Sequence, residues 1–286
     1  MGENSKIAWT DHTFNPWEGC ARVSTECTNC YAETRDERWH GGVHWGKNAA
    51  RKTMSVGYWK QPHTWNRQAA AEGVRRRVFC ASLADVFENR RDLDPIRAEL
   101  WDLIRQTPNL DWLLLTKRPE NIEELTTGLV ETHCCRDTPD MTAEVPWCAD
   151  CDAETTPILP RNVWLGTTVG HDASMSRIGH LNDASDLLDA AVTFLSCEPL
   201  LGPLDMNGGW LDLIGWVICG GESGPNARPI DPEWVRDLRD QCQTAGVPFF
   251  FKQWGGATPD AGGHLLDGQE IREFPNRGRL GADFRG

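Results

Sequence analysis

The sequence predicts an α/β fold built as a partial (β/α) barrel of the TIM type. Three observations predict this class. Six apolar runs of strand length each end in polar residues, and a helical stretch usually follows. Two of those helices carry clear start signals, at Asp94-Pro95 and at Asp231-Pro232. The chain has 286 residues, a size that single barrels of this kind commonly reach.

The predicted strands recur along the chain from residue 78 onward. They are Val78–Ala81, Leu110–Thr116, Asn162–Gly166, Ala191–Ser196, Trp216–Cys219 and Pro248–Phe251. A shorter extended pattern within residues 7–17 predicts one earlier strand, interrupted at Asn15-Pro16. Strands that alternate with helices pair in parallel, and six or seven such units fit an incomplete barrel better than an open sheet.

Two helices can be placed in detail from their apolar faces. The first follows an N-cap at Asp94 and aligns Ile96, Leu100, Leu103 and Ile104. The second follows an N-cap at Asp231, ends at Gly246, and aligns Trp234, Val235, Leu238 and Cys242. A third helix is predicted over 31–39. The barrel is expected to span 1–256 with an insertion at 128–160, and an irregular tail is expected over 257–286.

The composition limits the classes of function. A net charge of −13 argues against broad nucleic-acid binding, although a local basic patch or a partner could still deliver DNA to a site. We interpret the basic stretch 41–77 as a solvated surface rather than a phosphate-binding patch. No apolar run is long enough for a membrane span or a signal peptide, so we expect a cytoplasmic protein with no membrane partner. The 11 cysteines then indicate metal or redox chemistry rather than disulfides.

Three of these cysteines, Cys20, Cys27 and Cys30, lie in one short N-terminal segment just before the predicted helix. A closed zinc site takes four ligands, and His12 or His40 could complete one here. Three thiolates on a four-iron cluster would instead leave one iron free to bind a small molecule. The spacing leaves both alternatives open.

A second group of cysteines lies in the insertion between the third and fourth strands of the predicted repeat. Its members are Cys134, Cys135, Cys148 and Cys151, with His133 as an alternative ligand. Their spacing is typical of a small zinc ribbon, and a metal would explain how so short an insertion stays ordered. A second iron–sulfur cluster is the alternative. Four further cysteines, at 80, 197, 219 and 242, have apolar neighbours and are expected in the core.

Polar or small residues follow every predicted strand. They are Ser82, Asp85, Lys117, Arg118, Thr167, Thr168, Glu198, Gly220, Gly221, Glu222, Ser223, Lys252 and Gln253. Polar residues follow strands in most proteins because loops are solvated, so no single position is informative. Their recurrence at every strand predicts a site where the carboxyl ends of the strands meet.

Several short motifs in order resemble a phage and bacterial three-cysteine family that is similar to radical S-adenosylmethionine (SAM) enzymes. The motifs are Asn15–Cys20, Cys27–Glu33, Leu115–Pro119, Trp164–Thr168, Ser196–Leu200, Gly220–Gly224 and Phe250–Gly255. The resemblance implies a partial TIM-type barrel with a [4Fe-4S] cluster on Cys20, Cys27 and Cys30. It also implies that SAM binds the free iron and is cleaved reductively to a 5′-deoxyadenosyl radical.

The sequence departs from the usual radical SAM loop at two points. Six residues separate Cys20 from Cys27 where three are standard. Asn29 precedes the third cysteine where an aromatic residue commonly packs on adenine, and Tyr31 could replace that contact. The cysteine-rich insertion is a further addition to the family pattern.

The first hypothesis for function is therefore a radical SAM-type enzyme that modifies or rearranges a nucleobase-linked group in phage DNA hypermodification. The residues expected to bind SAM or substrate are Tyr31, Ser82, Asp85, Thr167, Thr168, Glu198, Gly220, Gly221, Glu222 and Ser223. Lys117, Arg118 and Lys252 are expected to contact an anionic group of the substrate, with Glu198 beside them. Such an enzyme also needs an electron-donor protein.

Two alternatives belong to other classes of protein. One is a non-catalytic adaptor in which zinc occupies both cysteine groups and the barrel binds a nucleotide or a protein. The other is a metal-dependent hydrolase, which is poorly supported because few histidines lie at predicted strand ends.

Overall fold

Seven parallel strands form the sheet around which the chain folds, and this sheet curls into a half-barrel flanked by helices. The computed structural model describes residues 2–126, 131–133 and 156–275. The strands, in chain order, are β1 His12–Thr13, β2 Trp17–Glu18, β3 Lys52–Thr53, β4 Arg76–Cys80, β5 Leu110–Thr116, β6 Glu131–His133, β7 Thr156–Ile158, β8 Val163–Thr168, β9 Val192–Cys197, β10 Trp216–Gly220 and β11 Phe249–Gln253. The helices are α1 Tyr31–His40, α2 Val56–Trp59, α3 Gln61–Glu72, α4 Asp94–Gln106, α5 Ile122–Thr126, α6 Ser176–Leu188 and α7 Pro232–Ala245.

The order of the sheet is β1-β4-β5-β8-β9-β10-β11, and every neighbouring pair is parallel. Helices follow most of these strands, as the alternating pattern predicted, but a loop alone connects β9 to β10. Because all seven strands run the same way, their carboxyl ends lie along one edge. We call this edge the mouth.

The six predicted strands and both detailed helices are confirmed, with one correction. Asp231 caps α7 by accepting from the Glu233 N–H, and Gly246 ends the helix with φ +70°. Asp94 is the first residue of α4 rather than its N-cap, and a 3₁₀ turn over 91–93 precedes it. Its carboxylate accepts a bond from the buried Arg97 guanidinium, so that oxygen serves an ion pair instead of a cap.

The two faces of the sheet carry different cores. The outer face packs against the helices in the larger core, which mixes aliphatic and aromatic side chains. Cys80, Cys197 and Cys219 of the strands and Cys242 of α7 are buried in this core, as expected. The inner face is filled by rings, which are Trp9, Phe79, Trp164, Phe194, Trp216 and Phe250. The Trp216 ring meets those of Trp164 and Phe250 at centroid distances of 6.2 and 6.0 Å. Ring packing therefore fills the half-barrel below the mouth.

The tail lies along β11 as far as it is described, to residue 275. The Phe251 N–H donates to the Ile271 carbonyl, and the Glu273 N–H donates to the Phe249 carbonyl. Beyond isolated bridges, the described part of the tail forms no helix or strand. It covers the backbone of an edge strand that would otherwise be open.

The insertion leaves and rejoins the fold through β6 and β7, which pair antiparallel. Cys134, Cys135, Cys148 and Cys151 lie outside the described residues, so the zinc-ribbon expectation stays a prediction. No helix in the described ranges has both the length and the apolar character needed to cross a bilayer.

Candidate metal and cofactor site at the mouth

The three-cysteine segment runs from the end of β2 to the start of α1. Cys27 ends a 3₁₀ turn, and Cys30 is the N-cap residue of α1. All three cysteines are free and partly exposed. The prediction that the last two thiols lie near a helix N-terminus is confirmed.

Arg118, which follows β5, attaches the first cysteine to the mouth. Its Nη1 lies 2.7 Å from the Asp85 carboxylate and 3.5 Å from the Cys20 sulfur, while its Nη2 donates to the Ala21 carbonyl at 2.6 Å. Asp85 also accepts from the Thr116 hydroxyl at 2.7 Å. Burial raises the pKa of the Cys20 thiol to about 12; Asp85 adds to this rise, and Arg118 opposes it.

Glu26 attaches the middle of the segment to the loop after β8. Its carboxylate accepts from Arg177 at 3.1 Å and from the Gly170 N–H at 3.3 Å, and Arg177 also donates to the Thr168 carbonyl. A Cβ at Gly170 would lie 2.3 Å from the Pro199 carbonyl, so only glycine permits this approach. Burial alone would raise the pKa of Glu26, but hydrogen bonds and the Arg177 charge lower it to about 2.

Glu222 attaches the end of the segment to the loop after β10. It accepts from the Asn29 amide at 2.8 Å and from Arg228 Nε at 2.9 Å. Arg228 also donates through Nη1 to the Thr25 carbonyl at 3.1 Å. Burial would raise the pKa of Glu222, and these donors lower it overall. A Cβ at Gly221 would lie 2.0 Å from the Trp254 carbonyl, which explains the small residue at this turn.

These three attachments fix the cysteine segment to three separate strand ends. Each uses an arginine that donates to a carboxylate, and the pairs are Arg118–Asp85, Arg177–Glu26 and Arg228–Glu222. The segment therefore lies across the mouth, where parallel strands of an α/β fold present their functional side chains.

Two cationic side chains lie at the mouth beside this segment. Lys252, near the end of β11, forms an ion pair with Glu198, and the Glu198 carboxyl carbon lies 3.5 Å from where a Cβ of Gly220 would be. No ion-pair partner is found for Lys117 within the described part of the chain, and its charge lowers the pKa of Cys30 against the larger, raising effect of burial. Lys117 can therefore accept an anionic partner.

The remaining predicted residues differ in their availability to a ligand. The Thr167 hydroxyl donates to the Thr116 carbonyl within the sheet, whereas the buried Thr168 hydroxyl has no partner among the described residues. Tyr31 donates to the Ser82 carbonyl, and this bond holds its ring next to the end of β4. Ser223 bonds Gln253 at 2.8 Å across the last two strands.

Nearly the whole described length of the chain matches one sequence family. The profile of the family described as "protein of unknown function (DUF5131)" matches residues 4–275. The chain belongs to the DUF5131 family. No curated protein and no solved structure matches this DUF5131 chain.

The residues of this DUF5131 chain fit an anionic iron–sulfur cluster in their chemistry. Three free thiols lie on one segment, and the side chains of Lys117 and Arg118 bring positive charge next to Cys30 and Cys20. In the described ranges, no three Cys, His, Asp or Glu side chains converge in a metal-ligating arrangement. Loading would release the protons of the three thiols.

The histidines considered as zinc ligands have other neighbours in this DUF5131 structure. The His12 ring stacks on Trp65 at a centroid distance of 4.4 Å, and His40 lies 3.8 Å from Glu18. Neither ring is bonded to a cysteine within the described contacts. A fourth zinc ligand from either histidine would require the cysteine segment to move.

Sequence reasoning missed the part that Glu26, Asn29, Arg177 and Arg228 play in holding the cysteine segment in place. Glu26 and Asn29 lie inside it, so an acid and an amide between cysteines were signals that could have been used. Arg177 and Arg228 carried no such signal, because each is distant in sequence from the partner it reaches. Arg118 was expected to bind substrate, but its guanidinium is buried and already bonded to Asp85 and the cysteine segment.

Proposed function

We propose that this DUF5131 protein is a radical SAM-type iron–sulfur enzyme that acts on an anionic substrate, with a nucleobase-linked group of phage DNA as the class suggested by the resemblance. Cys20, Cys27 and Cys30 hold the cluster in this proposal. SAM and the substrate then share the space at the mouth.

One observation supports the proposal more than any other. The cysteine segment lies across the mouth of a parallel half-barrel, held by Arg118 in the loop after β5, Arg177 at the start of α6 and Arg228 in the loop after β10. A structural zinc staple can lie anywhere on a surface, whereas a catalytic cluster must lie where the substrate binds.

A cluster held by Cys20, Cys27 and Cys30 would supply the single electron for reductive cleavage of SAM, and with it the radical chemistry needed to abstract a hydrogen atom from a substrate. The protein's own contribution is to bind and orient. Glu222, Ser223 and the backbone at 220–221 line the SAM side, next to Asn29 and Arg228. The aromatic inner face keeps water away from the reacting atoms from below.

Lys117 and Lys252 are the substrate-binding cations of this proposal. Lys252 is held in place by Glu198, while Lys117 lies near Cys30 without an ion-pair partner in the described chain. Two lysines at one mouth can bind a phosphate or a carboxylate even though the chain as a whole is acidic.

The test is reductive cleavage of SAM by the reconstituted protein. With dithionite as the electron donor, wild-type protein should convert SAM to 5′-deoxyadenosine and methionine, measured by chromatography. Cys30→Ala should abolish the products, and the exposed surface variant Lys60→Met should leave them unchanged. A wild-type protein that carries a cluster but never cleaves SAM would contradict the proposal.

A further inference from the structure

We propose that Arg118 is a positioning residue that acts through Cys20: it holds this sulfur at the mouth and sets the reduction potential of the cluster. The inference rests on the proposed function, because it concerns the same cluster. It replaces the substrate contact that the sequence suggested for Arg118.

The contacts of Arg118 form a rigid bridge between strand ends and cysteine. Nη1 lies between the Asp85 carboxylate at 2.7 Å and the Cys20 sulfur at 3.5 Å, and Nη2 donates to the Ala21 carbonyl. The side chains of Arg118 and Asp85 are only 8% and 7% exposed. Asp85 is itself fixed by the Thr116 hydroxyl and the Phe87 N–H. A buried pair with this many bonds has little freedom to turn away from the sulfur.

Arg118 differs in this respect from the other two arginines that hold the cysteine segment. Arg177 reaches the segment through the Glu26 carboxylate, and Arg228 reaches it through the Thr25 carbonyl. Within the described contacts, Arg118 is the one arginine bonded to a cysteine sulfur. Its loss therefore removes both an attachment and a charged donor from a ligand atom, whereas loss of Arg177 removes an attachment alone.

A charged donor at a sulfur ligand stabilises the reduced cluster, which carries one more negative charge. Because the pair is buried, solvent and salt screen this charge weakly. Asp85 partly offsets the charge of Arg118, so removing the Asp85 charge should act on the potential in the opposite direction to removing Arg118.

The experiment is a redox titration of anaerobically reconstituted protein, followed by electron paramagnetic resonance. Arg118→Gln should shift the midpoint potential to a more negative value, and Arg118→Lys should give a smaller shift in the same direction. Asp85→Asn should shift the potential to a more positive value. Arg177→Gln, the matched control, should keep the wild-type value.

The outcomes separate this inference from the proposed function. An unchanged potential in both Arg118 variants, or an equal shift in Arg177→Gln, overturns the role of Arg118 while leaving the cluster in place. If Arg118→Gln and Asp85→Asn shift the midpoint potential in the same direction, the shifts indicate general loosening of the site and also overturn the role of Arg118. If circular dichroism shows that Arg118→Gln is unfolded, the midpoint potential of Arg118→Lys decides whether Arg118 has this role. A wild-type protein without iron overturns both proposals.

Discussion

Glu26 is a buried acid whose ionisation holds part of the cysteine segment in place. Its folded-state pKa of about 2 lies below the ordinary value of 4.5, so it stabilises the fold above pH 4.5. This stabilisation is lost as the pH falls through that interval toward 2. The loss of folding stability at acid pH thus depends partly on a residue of the proposed site.

Glu26→Gln should lower the free energy of unfolding at pH 7 by on the order of 2 kcal/mol, because the buried partners of the carboxylate lose a charge. The difference from wild type should shrink as the pH falls from 4.5 toward 2, measured by urea denaturation at each pH. The surface variant Glu72→Gln breaks a pair whose side chains are 52% and 40% exposed, and should change stability by less than about 0.5 kcal/mol. An equal deficit at every pH would contradict the assignment.

Gly166 makes room for a ring of the inner face. A Cβ at this position would lie 2.3 Å from the Phe194 ring, which is fully buried. Gly166→Ala should therefore destabilise the protein by about 1–3 kcal/mol through overpacking. Gly179→Ala is the matched control, because no atom lies within 4 Å of its Cβ and alanine favours helix α6. Urea denaturation of both variants should give opposite signs; destabilisation of equal size would contradict this account.

At the scale of single residues, the sequence predicted which side chains gather but not how they pair. Ser82, Asp85, Lys117 and Glu198 follow strand ends, as the alternating pattern indicated, whereas Lys252 lies inside β11 near its end. The patterns did not predict that Arg118 is buried, since a charged residue after a strand is usually solvated. Its burial depends on Asp85, which lies 33 positions away in the sequence.

At the scale of elements, the cysteine segment should loosen when one of its attachments is removed. Arg228→Gln removes bonds to Glu222 and to the Thr25 carbonyl. Hydrogen exchange at amides 24–31 should then be roughly tenfold faster, which corresponds to a loss of about 1–2 kcal/mol of local stability. Arg236→Gln, on the exposed side of α7, should leave these amides unchanged. Unaltered exchange in Arg228→Gln would show that this attachment does not hold the segment.

The described tail packs on the sheet through the aromatic ring of Phe274. Phe274 meets the rings of Trp216 and Phe250 at 5.3 Å, and the Arg77 guanidinium lies 3.8 Å above it. Phe274→Ala should cost about 1–3 kcal/mol in unfolding free energy and should increase aggregation, because the edge of β11 loses its cover. Val56→Ala, at a residue 75% exposed, should change neither. Wild-type behaviour of Phe274→Ala in light scattering and denaturation would contradict this role.

Element boundaries were predictable where local signals and tertiary packing agree. Leu110–Thr116 is the same strand in sequence and structure, because its apolar run ends where Lys117 begins the loop. The sequence pattern placed the start of α4 one residue late. A capping pattern does not reveal that the Asp94 carboxylate binds Arg97 instead of capping the helix.

At the scale of the whole molecule, the parallel order of the sheet followed from the repeat alone. Strand–helix alternation leaves few topologies, and the observed sheet follows chain order across all seven strands. The attachment of the N-terminal cysteine segment to three later loops was not predictable, because it depends on contacts between residues 97 to 203 positions apart. The sequence thus predicted a partial barrel and identified the cysteine segment. The structure shows that this segment lies across the mouth.

The measurement that tests the central claim most directly is the metal and sulfide content of anaerobically purified, reconstituted protein. The account predicts roughly four irons and four sulfides per chain. It also predicts that substitution of Cys20, Cys27 and Cys30 by alanine abolishes this cluster while the fold persists. Zinc in place of iron, or iron that survives the triple substitution, would contradict the assignment of the cysteine segment and would favour a zinc-binding adaptor.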